Sequence, residues 1–323
     1  MLLAITKNDA VIRLESRHLR VESENVSRTI PLNLVDRVLL AGYPQLSGAV
    51  MQQLLMAHVP VIMLSEDGRY LGEIHYTPGG NSERRRLQAL CASESDLRPA
   101  KALLAAKLYN QKRVLQRLAA NRKGTCPECD ELTLLAREVR SQESLDALKG
   151  VEGLAARRYF NALGRFIPGW CGFSGRTRRP AKDPANALLS YGYAVMAGEM
   201  ENLIRLHALD PCFGFLHCGQ YDKPVLALDL MEPFRPAFCD VLALTLLTRR
   251  CLRPEHFHRE ANGACRLTRP GREIFLRAWE RKRAGKFKCS GRNVNWQEVQ
   301  NRQVLLWLDF LTAGAIPDFF KMA

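Results

Sequence analysis

Short apolar runs open the chain, each four to seven residues long and separated by charged or turn-forming residues. Residues 2–6, 10–14, 18–22, 37–40, 59–64 and 70–76 are rich in Val, Ile and Leu, the pattern of strands. One stretch among them has helical spacing. Leu46, Val50, Leu54 and Leu55 fall at helical spacing, and Ser47 is placed to cap a helix over 47–58. Thr77-Pro78-Gly79-Gly80-Asn81-Ser82 is the strongest break in the chain. Beyond it the apolar period lengthens: Leu87, Leu90, Leu103, Leu104, Leu108, Val114 and Leu118 run through 83–121, laced with Arg84, Arg85, Arg86, Lys101, Lys107, Lys112 and Arg113. The pattern predicts an α+β fold. A small β-rich N-terminal domain over 1–78 and a linker over 79–83 precede a larger all-α domain over 84–323.

One position breaks its own pattern. Residues 144–166 read as a helix whose apolar face is Leu145, Leu148, Ala155, Tyr159 and Leu163, and Glu152 falls inside that face. A charge on a buried face costs several kcal/mol or more unless it is paired. Gly150, Gly153, Ala155 and Ala156 keep the surroundings small, which predicts close approach by another segment. Two readings stay open at this point: an internal salt bridge to Arg157 or Arg158, or a carboxylate that binds metal or moves protons.

A second segment has matching chemistry. Phe213-Gly-Phe-Leu-His217 is followed by a turn at 218–223, a short apolar element at 225–228, and Asp229-x-x-Glu232-Pro233 before an apolar helix over 237–247. Asp229-x-x-Glu232 also reads as a capping box with Asp229 as N-cap, and His217 as a satisfied core histidine. Three ionisable residues set in apolar sequence are better explained by one shared site than by three separate structural roles.

These segments contain motifs in a fixed order: Val151-Glu152-Gly153-x-Ala155-Ala156-x-x-Tyr159-Phe160, Asp183-Pro184-x-Asn186-Ala187-Leu188-Leu189-Ser190-Tyr191-Gly192-Tyr193, Gly214-Phe215-Leu216-His217, and Leu228-Asp229-Leu230-Met231-Glu232-Pro233-Phe234-Arg235-Pro236. In order and spacing the sequence resembles the CRISPR-associated endonuclease of spacer acquisition, the integrase subunit of the adaptation machinery. The resemblance covers nearly the whole chain. It implies that Glu152, His217 and Glu232 bind a divalent cation with Asp229 beside it, all four forming the catalytic site. It further implies a homodimer joined through the N-terminal domain, two of which flank a small second adaptation protein in a heterohexamer. Its double-stranded DNA is the spacer precursor and the repeat array.

The implied reaction is attack by a DNA 3′-hydroxyl on a phosphodiester of the array. A divalent ion offsets the charge gathering there. Carboxylate oxygens suit Mg²⁺ or Mn²⁺, and the imidazole favours Mn²⁺. Two rival readings stand beside this one: a metal-dependent DNA or RNA nuclease of repair or processing, and a non-catalytic DNA-binding scaffold whose acidic cluster is a salt-bridge network.

Composition agrees. The chain has 323 residues, 47% of them hydrophobic, and a net charge of +14. Residues 1–80 hold 7 Lys/Arg against 8 Asp/Glu, leaving 40 against 25 beyond. The whole basic excess thus lies with the candidate site, as expected for a polyanionic partner. Arg84 and the loop residues Arg176, Arg178, Arg179 and Lys182 are the candidate DNA contacts; the loop is expected to be mobile without DNA. The segment from Trp279 to Lys288 mixes bases with aromatics and reads equally as a DNA contact or as an exposed helix end. Tyr191 and Tyr193 fit a helix core.

No run of eighteen apolar residues offers a membrane span, and charge interrupts the N-terminus too early for a signal peptide. The reading is cytoplasmic, with ten reduced cysteines. Cys126 and Cys129 form a single CxxC without a second pair, so buried or loop thiols are favoured over zinc.

Overall fold

The computed structural model describes residues 1–24, 26–65, 70–76, 81–93, 96–217, 223–289 and 291–323. The N-terminal part is built from two four-stranded sheets. In the first, β1 (Leu2–Ile5), β5 (Arg37–Ala41) and β7 (Val61–Leu64) run parallel, and β8 (Tyr70–Ile74) pairs antiparallel to β7. In the second, β2 (Val11–Glu15), β3 (His18–Ser23) and β4 (Val26–Pro31) form an antiparallel meander, with β6 (Gln45–Leu46) parallel to β2. Helix α1 (Gly48–Met56) starts at Ser47, whose Oγ accepts from the Val50 N–H as the sequence predicts.

Strand alternation decides what each face of the first sheet covers. Leu3, Ile5, Val38, Leu40 and Val61 pack with Ile12, Leu19, Val50 and Leu54 into one core. Leu2, Leu39, Ile62 and Leu64, on the opposite face, join the core of the helical part. All five residues of β5 are therefore buried. Strand β4, unlike the others, has no apolar run: four of its six residues are exposed at a sheet edge.

The break predicted at 77–82 lies outside the described residues as far as 80, and the next helix begins at Ser82, inside the predicted 79–83 linker. This helix is α2 (Ser82–Ser93), and the helical run read as continuous to 121 restarts as α3 (Arg98–Asn121), with Pro99 in its first turn. Then come α4 (Glu128–Ser141), α5 (Leu145–Gly164), α6 (Pro184–Leu206), the short α7 (Val225–Leu230), a π-type turn (Arg235–Asp240), α8 (Val241–Thr248), α9 (Arg269–Ala284) and α10 (Trp296–Ala313).

The C-terminal part is mostly helical rather than wholly so. Two hairpins interrupt it: β9 (Phe257–Arg259) with β10 (Cys265–Leu267), and β11 (Phe287–Cys289) with β12 (Arg292–Val294). Arg37 of β5 reaches into this part and pairs with Glu199 of α6 at 2.5 Å, both buried. Trp279 Nε1 donates to the same carboxylate. In the CxxC, burial first and then the Glu128 contact push the Cys126 thiol up to about 12, and Arg165 braces both groups.

Candidate active site

Helix α5 carries Glu152. Ser144 caps it by accepting from the Ala147 N–H, and Leu148, Val151, Ala155 and Tyr159 fill its inner face. The glycines do not play the expected part: a Cβ at Gly150 or Gly153 would meet open space. Close approach occurs elsewhere. At Gly214 a Cβ would lie 2.8 Å from Asp229 Oδ2, so only glycine lets the 214–217 turn close over that carboxylate.

Asp229 is fully buried inside α7 and organises this turn. Its Oδ2 accepts from the Phe215 and Leu216 N–H groups at 2.8 and 2.9 Å. Its Oδ1 accepts from the His217 N–H at 3.2 Å and lies 2.6 Å from His217 Nδ1. The capping-box expectation is thereby corrected: Asp229 binds the backbone of an incoming loop, not the start of its own helix. The turn expected at 218–223 falls mainly on residues outside those described.

Glu152, His217 and Glu232 each offer a ligand atom, and these atoms lie within 4.8 Å of one another. They come from α5, the loop after α6, and the turn after α7. Neither Arg157 nor Arg158 pairs with Glu152; Arg158 pairs with Glu131 instead. Its partner is Lys107 of α3, whose Nζ donates to Glu152 Oε1 at 2.5 Å and lies 2.7 Å from Glu232 Oε2. Arg235 Nη1 approaches Glu232 Oε1 at 2.9 Å. Although both cations are at ion-pair distance, neither is aligned for a hydrogen bond to the buried Glu232 oxygens.

Burial disfavours ionisation of Glu152, but Lys107, with His217 and Arg235 behind it, holds its carboxyl at about 2. Burial also opposes charge on His217; Asp229 and the two glutamates overcome it and raise the imidazole above its ordinary value. With Nδ1 engaged by Asp229, Nε2 is the nitrogen facing Glu152 Oε2, 3.7 Å away. Two carboxylates and one imidazole nitrogen fit a divalent cation such as Mg²⁺ or Mn²⁺. Glu232's buried oxygens, without hydrogen bonds, are the kind of group such an ion satisfies.

A second layer braces Arg235. Its guanidinium lies 4.9 Å from the Tyr193 ring centroid. The Tyr193 and Tyr159 hydroxyls donate to the two oxygens of buried Asp240, at 2.6 and 2.9 Å. Burial pushes that carboxyl up to about 6 despite both hydrogen bonds. Sequence reasoning puts the tyrosines in the core but assigns Lys107, Arg235 and Asp240 no role. Lys107 is detectable by the signal that exposes Glu152: it sits between Leu103, Leu104 and Gln111 on a buried face.

The basic candidates divide. Arg178, Arg179 and Lys182 are exposed. Arg176 is partly buried and donates to Asn186 Oδ1 at 2.9 Å and Ser190 Oγ at 3.1 Å. Asn186 also accepts from the Thr177 N–H and donates to Gly175 O, so the loop read as mobile is hydrogen-bonded to α6. Arg84 Nη1 donates to the His207 carbonyl at the end of α6.

A family model described as CRISPR associated protein Cas1 matches residues 3–281. CRISPR-associated endonuclease Cas1 2 of Rhodospirillum rubrum is 33% identical over 86% of this chain and 85% of its own. CRISPR-associated endonuclease Cas1 1 of Thermus thermophilus is 36% identical over 87% and 86%. Among solved structures, a casposase bound to integration product has a TM-score of 0.86 at 22% identity, covering 97% of this chain and 91% of that one. A Cas1 protein from Thermotoga maritima has a TM-score of 0.82 at 20% identity over 100% of both chains. These two likenesses concern the fold. Fold and cluster together define a two-part α+β protein with a carboxylate–histidine centre. The chain belongs to the Cas1 family of CRISPR-associated proteins, which bears out the resemblance in its motifs.

Proposed function

We propose that this chain is a metal-dependent DNA endonuclease and integrase, inserting short DNA fragments into a repeat array by 3′-hydroxyl attack on a phosphodiester. The observation that supports this most is the convergence of Glu152, His217 and Glu232 from three separate segments. These residues would hold Mg²⁺ or Mn²⁺. When bound, the ion supplies positive charge at the reacting phosphate and eases deprotonation of the attacking hydroxyl. Asp229 keeps His217 oriented with Nε2 toward the cluster. Lys107 and Arg235 add fixed positive charge beside the carboxylates, suited to phosphate oxygens. Exposed Arg178, Arg179 and Lys182 contact DNA backbone, with Arg176 holding their loop.

The domain reading goes with this function. Residues 1–78 form the dimerisation domain and 84–323 the catalytic one, in a cytoplasmic homodimer that joins a small second protein in a heterohexamer. Solved neighbours of this fold include a Cas6-RT-Cas1–Cas2 complex. No helix among the described residues is long and apolar enough to cross a membrane. A deletion of residues 1–78 that stayed dimeric by light scattering would refute the dimerisation reading.

The decisive test is strand transfer with the purified chain, a short duplex bearing 3′-hydroxyl ends, and a plasmid carrying the repeat array. Joined product should form with Mn²⁺ or Mg²⁺ and vanish with EDTA or Glu152→Gln. Cleavage without joining would favour a nuclease; DNA binding without any strand chemistry would favour a scaffold.

A further inference from the structure

Away from the reacting cluster, a cleft of about 690 Å³ opens between α3, α8, the end of α9 and the β11 hairpin. Its lining includes Lys282, Lys286, Lys288, Phe287, Trp296 and Phe320, and none of the catalytic cluster. Val114, on its wall, is seven residues from Lys107, so the cleft lies about 10 Å along α3 from the active site. Among the described residues no Asp or Glu lines it.

Two features point to the chemistry of an occupant. The first is an aromatic wall: Trp296 packs against Phe287 and Phe320 with ring centroids 4.5 and 5.5 Å apart. The second is Lys282, whose ammonium is held at the base of the cleft by the Phe238 and Ala237 carbonyls, at 2.7 and 3.3 Å. Two of its three donors are used, and the ammonium also lies 4.7 and 5.6 Å from the Phe238 and Trp296 ring centroids. Burying a cation is costly, and here burial pulls the amine down to about 7 against the weaker opposing effect of Cys239 and Asp240. Lys286 and Lys288 are exposed at the rim. These lysines belong to the segment in which bases alternate with aromatics; Trp279, at its start, proves to be core, and the cleft lies beyond it.

We propose that this cleft binds a nucleotide, its base against the Trp296–Phe287 wall and its phosphate on Lys282, Lys286 and Lys288. Base stacking on aromatics, combined with cationic phosphate contacts, is the general mode of unpaired nucleotide binding, and the volume suits a ligand of that size. The shared chemistry admits two sources, a free mononucleotide or an unpaired residue of a DNA strand. Only the second depends on the integrase reading.

The experiment uses the full chain and reads binding alone, without strand transfer, so its failure is distinct from failure of the integrase assignment. Tailed and blunt duplexes of one core sequence are titrated, the tail carrying 5-iododeoxyuridine for photocrosslinking; a mononucleotide, dTMP, is tested by thermal shift. A tail preference of tenfold or more, with crosslinks at Phe287 or Trp296, supports the site with DNA as its source. A dTMP shift without tail preference supports it with free nucleotide as its source. Either response should fall at least tenfold in Lys286→Glu/Lys288→Glu and in Lys282→Met. If the rim variant weakens blunt and tailed duplex alike, with no crosslink in the cleft and no dTMP shift, the lysines are plain duplex contacts and the proposal is overturned.

Discussion

Asp229 Oδ1 lies 2.6 Å from His217 Nδ1, and the same carboxylate accepts the backbone N–H groups of residues 215, 216 and 217. One buried charge thus shapes the loop and selects the ring nitrogen that faces Glu152. Asp229 is a positioning residue by this geometry.

Replacing Asp229 with Asn keeps the shape but removes the charge and one acceptor. The variant should lose about 1.5–3 kcal/mol of stability, the range for hydrogen bonds to a charged group. Metal affinity should fall about 10–100-fold, as when a ligand's outer partner is removed. Thermal melting and Mn²⁺ calorimetry check both; unchanged Mn²⁺ binding would mean that His217 needs no orienting partner.

A pH effect is expected where the two parts meet. Glu73 on β8 is buried near Glu201, and burial first, then that neighbouring charge, raise its carboxyl from 4.5 to about 7. A folded-state value above the unfolded one means that protonation favours the folded state. Glu73's contribution is therefore complete below about 4.5 and lost as pH rises through 7. Glu73→Gln, permanently neutral, should raise the melting temperature at pH 8 and change it little at pH 4.5. Equal effects at both values would refute the assignment.

Legibility followed what each residue depends on. Helices α5 and α1, and the Ser47 cap of α1, depend on neighbours within a few positions, so spacing reveals them. Strand β4 escapes the apolar pattern because its residues are exposed at an edge. Glu152 stands out as a charge on an apolar face, but its partner does not, since Lys107 is 45 positions away on another helix. The capping-box reading of Asp229 fails for a related reason. Its three backbone donors come from an incoming loop, while a capping box is judged from the following turn alone.

The basic loop should separate into two behaviours. Arg178 and Arg179 are exposed. Charge reversal of both should lower affinity for unrelated DNA sequences alike. The dependence of log affinity on log salt should flatten by roughly 0.9 for each phosphate no longer neutralised. Melting should not change. Arg176→Glu should instead lower the melting temperature, because it breaks the hydrogen bonds to Asn186 and Ser190. Identical behaviour of both variants in both assays would erase the distinction.

Lys107 provides the sharpest test of the cluster. Its ammonium sits between Glu152 and Glu232, and the three groups are nearly or fully withdrawn from solvent. A fixed cation therefore already balances part of the charge of the two carboxylates. Burial works against the ammonium, yet Glu232 and Glu152 raise its pKa above the ordinary value. Removing one member of a buried ion pair leaves an uncompensated charge and costs about 3–5 kcal/mol. Lys107→Met should incur that loss in EDTA, softened by Arg235, which still faces Glu232. A divalent cation that binds only the folded state restores stability in proportion to the logarithm of its excess over Kd, about 2.7 kcal/mol at a hundredfold excess. Mn²⁺ should therefore raise the melting temperature of Lys107→Met by more than that of the parent chain, because the competing ammonium is gone. Catalysis should not recover with stability if Lys107 also serves phosphate. A variant equally unstable with and without Mn²⁺ would show that the two carboxylates hold no metal.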